Sequence, residues 1–361
     1  MNKDRLAPLL TEGLLQELYT EETVSSTNTL VKELFRAGKR GPLLYVAEVQ
    51  TAGRGRLGRT WNSPSESGIW MSLLDTSPNE NISSLTLVTA VAVTRAIRKV
   101  YPALAPMIKW PNDILLPVGR PLQTEHDSSL QSNTPAFAAT SVSRSEDSSQ
   151  TAVIYKKFCG ILTEATSFGP ETGIIFGIGI NCTPSAYPPE LAGKATSLAE
   201  ALSSAVPNPA GCPNPHSTEA PAPTFAGIIP FMPGIDTTPD REAVILAFVP
   251  EMLHLLREYS RTGDLSFLLE EYNNLLIHRN RPVYLYRTPT GMNEAASPVN
   301  SSGEPGGQNT NANTDVAENR EGPFTALGIR ADGALLIQKP DGDIQPLISG
   351  EISVRGENGY I

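Results

Sequence analysis

The residues with the clearest chemical potential form a loop of alternating glycines and arginines. The loop runs from Gly53 to Arg59 with the sequence G-R-G-R-L-G-R, and it follows an apolar segment. Glycine allows backbone N–H groups to approach a ligand closely, and arginine offers a planar fork of donors that suits a carboxylate or a phosphate. The pattern predicts a flexible site for an anionic ligand, with a solvated basic loop as the plain alternative.

The letters of this loop also match the dinucleotide fingerprint G-x-G-x-x-G. That fingerprint requires a helix to begin directly after its last glycine. Here Gly58 is followed by R-T-W-N-S-P, residues 59–64, which is a poor helix start. The sequence therefore disfavours a dinucleotide-dependent oxidoreductase.

Three further clusters combine apolar segments with polar residues. Residues 109–113 read K-W-P-N-D, residues 156–162 read K-K-F-C-G-I-L, and residues 177–181 read G-I-G-I-N. A turn at Pro111-Asn112 would place Lys109 and Asp113 at the end of a strand. Taken singly, each cluster is more typical of a structural role than of a functional one.

Hydrophobic periodicity predicts the elements that must hold these clusters. Helices are expected from a cap at Ser26-Thr27-Asn28 to near Gly38, over 83–101 and over 240–259. Strands are expected over 43–49, 69–74, 107–110, 158–163 and 173–180. After Arg281, short strands with Gly/Asp turns are expected over 283–286, 324–329, 334–338 and 344–347. This order predicts mixed helix and strand first, then a small all-β module.

Three stretches differ in composition from the rest of the chain. Residues 121–152 are rich in Ser, Thr and Gln, residues 205–224 in Pro, and residues 289–322 in Asn, Gly, Ser and Glu. Such stretches bury too little apolar surface to offset chain entropy, and the closure cost of a surface loop grows only logarithmically with its length. We expect mobile insertions in surface loops, with ordinary structured loops as the alternative.

Composition limits the broad class of protein. The 361 residues suggest about two domains, and 28 Lys+Arg against 38 Asp+Glu give a net charge of −10. That balance argues against a protein that coats nucleic acid. Cys159, Cys182 and Cys212 are too scattered for a disulfide framework, and no Cys/His pair has zinc-ligand spacing. The sequence shows no signal-peptide core and no membrane-length apolar run, so a cytoplasmic setting is expected.

Taken together and in order, the clusters resemble those of the biotin–protein ligases. Those enzymes carry an S-T-N helix start, a Q-x-A-G-R-G-R-x-G-R-x-W loop, K-W-P-N-D, K-x-x-G-I-L and G-x-G-I-N. This chain matches them at residues 26–28, 50–61, 109–113, 157–162 and 177–181. Its segments 280–283 (N-R-P-V) and 350–353 (G-E-I-S) resemble the family's terminal barrel. The match covers residues 20 to 356 apart from the three insertions.

The resemblance implies an α+β catalytic domain over residues 1–279, related to class II aminoacyl-tRNA synthetases, with a mixed or antiparallel sheet. A C-terminal SH3-like β barrel is implied over 280–361. The implied reaction has two steps: biotin and Mg·ATP give biotinyl-5′-adenylate and pyrophosphate, and a lysine of a biotin carboxyl carrier protein then attacks the mixed anhydride. The implied small molecules are ATP, biotin and Mg²⁺, and the implied state is a monomer or a homodimer.

The resemblance also implies roles for individual residues. Lys157 lies between the biotin carboxylate and the α-phosphate, and Arg56, Asp113 and Lys109 complete the implied catalytic set, with Lys109 as electrostatic support. Implied biotin-binding residues are Ser26, Thr27, Asn28, Gln50, Gly53, Arg54, Gly55, Arg56, Lys157 and Gly160. Implied ATP- and adenylate-binding residues are Arg54, Arg56, Arg59, Trp61, Asn112, Lys157 and Asn181. Asp113 is expected to orient the incoming lysine or to help hold Mg²⁺.

Alternatives remain at single positions and for the whole chain. Trp61 and Trp110 are equally well explained as core residues, and Asn28 as a helix-start hydrogen bonder. A lipoate ligase or octanoyltransferase would share the fold but should lack the paired-arginine loop and K-W-P-N-D. A DNA-binding biotin sensor would need a helix-turn-helix domain, and too few residues precede Ser26 for one. No DNA partner and no membrane partner is therefore expected.

Overall fold

The computed structural model describes residues 1–76, 81–118, 154–185, 187, 191, 193–204, 238–287, 320–348 and 352–356. The predicted insertions 121–152 and 205–224 lie outside the described residues, and so does the third up to residue 319. The predicted end of the third insertion is wrong, because residues 320–322 lie in a strand. Backbone pairing of Arg320 with Tyr286 and of Glu321 with Leu285 holds this polar segment in the sheet.

Two β-sheets organise the described residues. The first contains β1 (Glu17–Val24), β2 (Leu43–Gln50), β3 (Gly68–Asp75), β4 (Met107–Lys109), β5 (Asp113–Val118), β6 (Ile154–Phe168) and β7 (Glu171–Asn181). Their spatial order is β1-β2-β3-β7-β6-β5-β4. β1 and β2 are parallel, and the other neighbours are antiparallel. The sheet is therefore mixed, as predicted.

The second sheet is antiparallel and formed by the C-terminal part of the chain. It contains β8 (Arg281–Arg287), β9 (Arg320–Ile329), β10 (Leu335–Gln338), β11 (Ile344–Leu347) and β12 (Ile352–Arg355). Their order is β11-β10-β9-β8-β12. The predicted α+β class with a small C-terminal β module is confirmed, whereas the domain border at 279/280 stays a prediction.

Seven helices accompany these sheets within the described residues. They are α1 (Lys3–Leu6), α2 (Pro8–Thr11), α3 (Thr27–Arg36), α4 (Ile82–Val100), α5 (Leu198–Ser203), α6 (Arg241–Thr262) and α7 (Leu269–Leu275). The three predicted helices correspond to α3, α4 and α6. Helix α6 begins where the Asp240 side chain accepts a hydrogen bond from the Ala243 N–H, and it ends at Gly263 with φ 77°. None of the helices in the described ranges is long and apolar enough to cross a membrane.

The helices divide the seven-stranded sheet into a covered face and a partly open face. α4 and α6 bury one face, where Phe176, Ile178 and Ile180 of β7 join the main core. α3 covers part of the other face, where Val31 and Phe35 pack on the edge formed by β1, β2 and β3. Because side chains alternate along a strand, the residues that follow Ile175 on this face of β7 are Gly177 and Gly179. The face is consequently left open beyond α3, and a pocket forms there.

Two long connections leave the paired strands aligned. Val118 at the end of β5 still pairs with Ile154 at the start of β6, so the chain that joins them starts and ends at one place. The same holds for Tyr286 and Arg320 in β8 and β9. An insertion placed at the end of such a hairpin does not disturb the register of the strands that carry the site.

The second sheet packs against α4 and against the turn between β4 and β5. The Trp110 Nε1–H donates to the Gly333 carbonyl (3.2 Å), and the Ser84 hydroxyl donates to the Asp332 carbonyl (3.0 Å). Apolar residues of β8, including Val283 and Leu285, belong to the same core as α4 and α6. Trp110 is 1% exposed, so the core role left open for it is confirmed.

Candidate active site

A pocket of about 410 Å³ opens on the uncovered part of the seven-stranded sheet. Its wall contains nearly all the residues that the sequence predicts for the site: Ser26, Thr27, Asn28, Gln50, Arg54, Gly55, Arg56, Arg59, Trp61, Lys109, Asn112, Asp113, Lys157, Gly160 and Asn181. Gly53 is the exception. It is buried behind the loop, where its carbonyl accepts a hydrogen bond from the Trp61 N–H (2.9 Å). The fold thus gathers residues from five separate stretches of sequence into one cavity.

Strand register aligns residues of three sequence clusters in a single row across four strands of the sheet. Lys109 pairs with Asp113, Asp113 with Gly160, and Gly160 with Gly179. Each residue comes from a different strand, and the row continues from Gly179 to Trp70 in β3. The row forms the floor of the pocket, with a cation and a carboxylate at one end and two adjacent glycines in the middle.

The two glycines of this row leave space above the sheet, and the Trp61 indole occupies it. A Cβ atom on Gly179 would lie 2.5 Å from Trp61 Nε1, and one on Gly160 would lie 2.7 Å from Trp61 Cζ3. The indole therefore lies directly on the backbone of two strands. Its edge meets Trp70 at 6.5 Å between ring centroids, and its buried Nε1–H has no hydrogen-bond partner in the described part of the chain. Trp61 is a pocket residue that keeps one donor available.

A connected set of polar side chains forms the other end of the pocket, next to the start of α3. Gln50 Oε1 accepts from both the Thr27 N–H (2.9 Å) and the Thr27 hydroxyl (3.2 Å). The buried Ser72 hydroxyl lies 2.7 Å from Thr27 Oγ1 and 2.6 Å from Asn28 Oδ1. Asn28 rests on Gly177, where a Cβ atom would lie 2.3 Å from Asn28 Oδ1. Such a set of donors and acceptors suits a neutral polar head group in an enclosed site.

Ser26 occupies the predicted cap position, but its side chain does not cap the helix. Ser26 has extended φ/ψ angles and directly precedes α3, but its side chain makes no capping hydrogen bond. The Asn28 side chain does not serve the helix start either, since its amide bonds Leu162 in β6 and Ser72 in β3. The capping prediction is therefore wrong for these side chains, because tertiary contacts with the sheet and the pocket take them.

Lys157 and Asp113 form the charged centre of the pocket. Lys157 Nζ lies 2.5 Å from Asp113 Oδ1 and 5.0 Å from the centroid of the Trp61 ring. The pairing of β5 with β6 shifts between Ile114 and Leu115, so Phe158 is an extra residue in β6. The Lys157 backbone instead bonds the segment at Lys194 and Thr196, with 2.8 Å on each side. A local bulge of this kind re-aims a side chain beside a site.

Two arginines of the glycine–arginine loop have defined partners. Arg56 Nη1 donates to Asn112 Oδ1 (2.8 Å), and Asn112 Nδ2 donates to the Ile161 carbonyl (3.1 Å). Burial lowers the pKa of Arg56 from its ordinary value, and the Asp113 carboxylate opposes this. Arg54 Nη2 pairs with Glu164 Oε2 at 3.0 Å. As predicted, no helix follows Gly58, because the chain makes a short 3₁₀ turn and then becomes extended.

Lys109 is the buried cation of the floor. It is 5% exposed, and burial lowers its pKa to about 7. The Asp113 carboxylate opposes that shift, whereas three nearby cations reinforce it, namely Lys157, Arg355 and Arg59. Burial, reinforced by these cations, therefore favours the neutral form of Lys109.

The stability of this site is expected to depend on pH through Lys109. Folded Lys109 releases its proton above about pH 7, while the unfolded chain keeps it up to about pH 10.5. The unfolded state then binds more protons, so the free energy of unfolding rises with pH across this window. We expect wild type to gain stability relative to Lys109→Met between pH 7 and pH 9.5, measured by urea unfolding. A difference between the two proteins that stays constant over this range would contradict the assignment.

Two family models match the chain. The model of the biotin/lipoate A/B protein ligase family matches residues 20–181, and that of the biotin protein ligase C-terminal domain matches residues 308–355. Together they cover more than half of the chain. The chain belongs to the biotin protein ligase family.

Sequence relatives and solved structures agree with this placement. The bifunctional ligase/repressor BirA of Bacillus subtilis is 34% identical over 198 residues, 54% of this chain and 49% of that protein. BirA of Escherichia coli is 35% identical over 96 residues, 26% of this chain and 29% of that protein. The chain thus spans about half or less of the length of these curated relatives. A biotin protein ligase from Aquifex aeolicus, solved in complex with biotin and ATP, has the same fold, with a TM-score of 0.57, 21% identity, and coverage of 95% of this chain and 100% of that one.

Four residues in or next to the pocket were not found by sequence reasoning. Ser72 and Glu164 bond Asn28 from strands β3 and β6, and the pattern of those strands predicts only core or surface positions. Lys194 and Arg355 line the pocket, and Arg355 comes from the C-terminal module, where it stacks on Tyr286 at 4.2 Å. The basic character of residues 194 and 355 was visible, but nothing in their spacing connects them with Lys157.

The remaining predicted residues have clear positions in this ligase fold. Asn181 lines the pocket and donates from Nδ2 to the Thr196 carbonyl (3.1 Å). Cys159 and Cys182 are buried core thiols, as predicted, and burial raises the pKa of Cys182 to about 12. Cys212 lies outside the described residues. Asp113 was also predicted to help hold Mg²⁺, but the described residues contain no group of three or more His, Cys, Asp or Glu that could hold a metal ion. Because Mg²⁺ is usually held by one or two carboxylates together with substrate phosphates, the part of Asp113 in holding it stays a prediction.

Proposed function

We propose that this chain is an ATP-dependent ligase that activates biotin as biotinyl-5′-adenylate and transfers it to a lysine of a biotin carboxyl carrier protein. The observation that carries the proposal is the single pocket in which a neutral polar end at Thr27 and Asn28 faces a charged centre at Lys157 and Asp113. A molecule with a polar uncharged head and a carboxylate tail matches both ends. The family placement supports the same chemistry.

In the proposed first step, a carboxylate oxygen of biotin attacks the α-phosphorus of ATP. A new P–O bond forms, the bond to the bridging oxygen breaks, and pyrophosphate leaves. Both reactants are negatively charged, so the site must offset their repulsion and the charge that grows in the transition state. Lys157 lines the charged centre of the pocket, and Arg54, Arg56 and Arg59 line the loop side. Mg²⁺ belongs to the substrate Mg·ATP, where it binds phosphate oxygens and water.

In the proposed second step, the amine of a carrier lysine attacks the acyl carbon of the adenylate. A C–N bond forms, the C–O bond to the phosphate breaks, AMP leaves, and the amine nitrogen loses a proton. The Asp113 carboxylate orients the incoming ammonium in this proposal, and its 2.5 Å contact with the Lys157 ammonium supports that role. The carrier identity, the monomer or homodimer state and the lack of a DNA partner stay predictions.

Biotin-dependent exchange of ATP with labelled pyrophosphate tests the first step. Exchange should occur with biotin and not with lipoate or octanoate. Lipoate-dependent exchange would assign the chain to the lipoate branch that the first family model also includes. A folded protein that exchanges with none of these acids would contradict the proposed adenylation.

Removing the second arginine of the loop is expected to loosen the adenylate. The Arg56 guanidinium is fixed to Asn112 at 2.8 Å, beside Lys157. Loss of a charge-assisted hydrogen bond to the ligand costs about 1.5–3 kcal/mol, or roughly a 10- to 100-fold faster dissociation. We therefore expect Arg56→Gly to release biotinyl-adenylate faster and to label bystander proteins. A dissociation rate equal to that of wild type would remove the loop from the mechanism.

A further inference from the structure

Glu164 lies where three elements around the pocket meet. On β6, its Oε2 accepts a hydrogen bond from Asn28 Nδ2 of α3 (2.7 Å) and one from Arg54 Nη2 of the glycine–arginine loop (3.0 Å). Its other oxygen is 3.6 Å from Lys32 Nζ of α3. The side chain is only 20% exposed. One carboxylate oxygen is therefore shared by the helix that begins the polar end and by the loop that covers the charged centre.

The contact with Asn28 determines which way its amide points. An ionised carboxylate can only accept hydrogen bonds, so the Asn28 nitrogen must face Glu164. The same nitrogen donates to the Leu162 carbonyl (3.3 Å), and the Asn28 oxygen accepts from the Ser72 hydroxyl (2.6 Å). The charge of Glu164 thus fixes the orientation of the Asn28 amide at the polar end of the pocket. Glu164 itself is not part of the pocket wall.

The contact with Arg54 is the side-chain link between the exposed part of the loop and the sheet. Backbone hydrogen bonds close the loop on itself, from the Gly55 N–H to the Arg59 carbonyl (2.7 Å) and from the Trp61 N–H to the Gly53 carbonyl (2.9 Å). The Arg54 side chain is 44% exposed, so its position depends on its partner. The ion pair with Glu164 restricts it by joining the loop to a central strand.

We propose that Glu164 is a positioning residue that couples the polar end of the pocket to the glycine–arginine loop, and through it to retention of the acyl-adenylate. The part that concerns the adenylate rests on the proposed function, whereas the coupling itself does not. Glu164 contacts no reacting atom and acts through Asn28 and Arg54. A ligand that engages Asn28 would strengthen the network that holds Arg54 in place.

Limited trypsin digestion of the ligand-free protein tests the coupling without any activity measurement. Trypsin cleaves after Arg54, Arg56 and Arg59, so the cleavage rate reports loop opening. E164Q keeps the size of the side chain but removes its charge, and we expect about tenfold faster cleavage in the loop. The matched control is K32M, which removes the other cation beside Glu164 and should cleave as wild type does. Unchanged cleavage in E164Q with a wild-type urea midpoint would overturn the proposal.

The dissociation rate of biotinyl-adenylate tests the consequence for the ligand. E164Q should release it about tenfold faster, and in an R54M background E164Q should add less than it does alone, because the part of its effect that acts through Arg54 is already lost. Additive effects would overturn the coupling. Should E164Q not fold, R54Q tests the same pair, and its cleavage after Arg56 and Arg59 should rise as expected for E164Q. If wild type shows no acid-dependent exchange, the proposed function fails, while the digestion result still decides the role of Glu164.

Discussion

Lys157→Met is expected to lower the rate of biotin-dependent ATP–pyrophosphate exchange by about three orders of magnitude. The Lys157 ammonium belongs to the charged centre of the pocket, 2.5 Å from Asp113 Oδ1 and 5.0 Å from the centroid of the Trp61 ring. A methionine of similar length cannot offset the charge of a carboxylate that approaches a phosphate. The fold should remain intact, since the side chain is 23% exposed and the bulge is held by backbone hydrogen bonds.

The adjacent residue provides the matched control. Lys156→Met removes the same charge one position earlier in β6, and alternation along the strand turns that side chain to the opposite face. Lys156 is absent from the pocket wall, so exchange should remain near the wild-type rate. Equal losses in the two variants would indicate a general charge effect. Normal exchange in Lys157→Met, with an unchanged urea midpoint, would contradict the role assigned to Lys157.

Gly179→Ala should produce the second large loss. The new Cβ atom would lie 2.5 Å from Trp61 Nε1 and 2.6 Å from Trp61 Cε2, so the indole must move away from the strand backbone. Overpacking of this kind costs about 1–3 kcal/mol. If ligand binding must return the Trp61 indole to its place on the sheet, the catalytic efficiency of exchange falls by roughly 5- to 150-fold. Lys157 would also lose the ring that lies 5.0 Å from its ammonium.

A double-mutant cycle separates the collision from any other effect of Gly179→Ala. Trp61→Ala removes the ring that occupies the space above Gly179. In that background Gly179→Ala should have little further effect on exchange, because no side chain remains to collide with. A loss of the same size with and without the indole would show that Gly179 acts through the strand backbone instead.

Most residues of the candidate site could be predicted from the sequence, because the polar residues of each motif lie close together along the chain. The glycine–arginine loop, K-W-P-N-D and G-I-G-I-N each place polar residues beside an apolar strand, and local patterns of this kind survive without knowledge of the fold. The same holds for α3, α4 and α6, whose apolar periodicity and end residues set their extents. The motifs alone identify fifteen residues of the pocket wall. Gly53 belongs to a motif but does not line the pocket.

The tertiary structure alone decided which of these motifs touch. Lys109, Asp113, Gly160 and Gly179 form one row because four strands pair in one particular register. A shift of one residue would turn alternate side chains to the other face, and no local pattern encodes a register between segments so far apart in the chain. Ser26 illustrates the same limit, since its sequence context predicts a cap while the fold leaves its side chain out of the helix start. Glu164 and Arg355 belong to the site for the same reason: only strand pairing and the docking of the second sheet bring them to it.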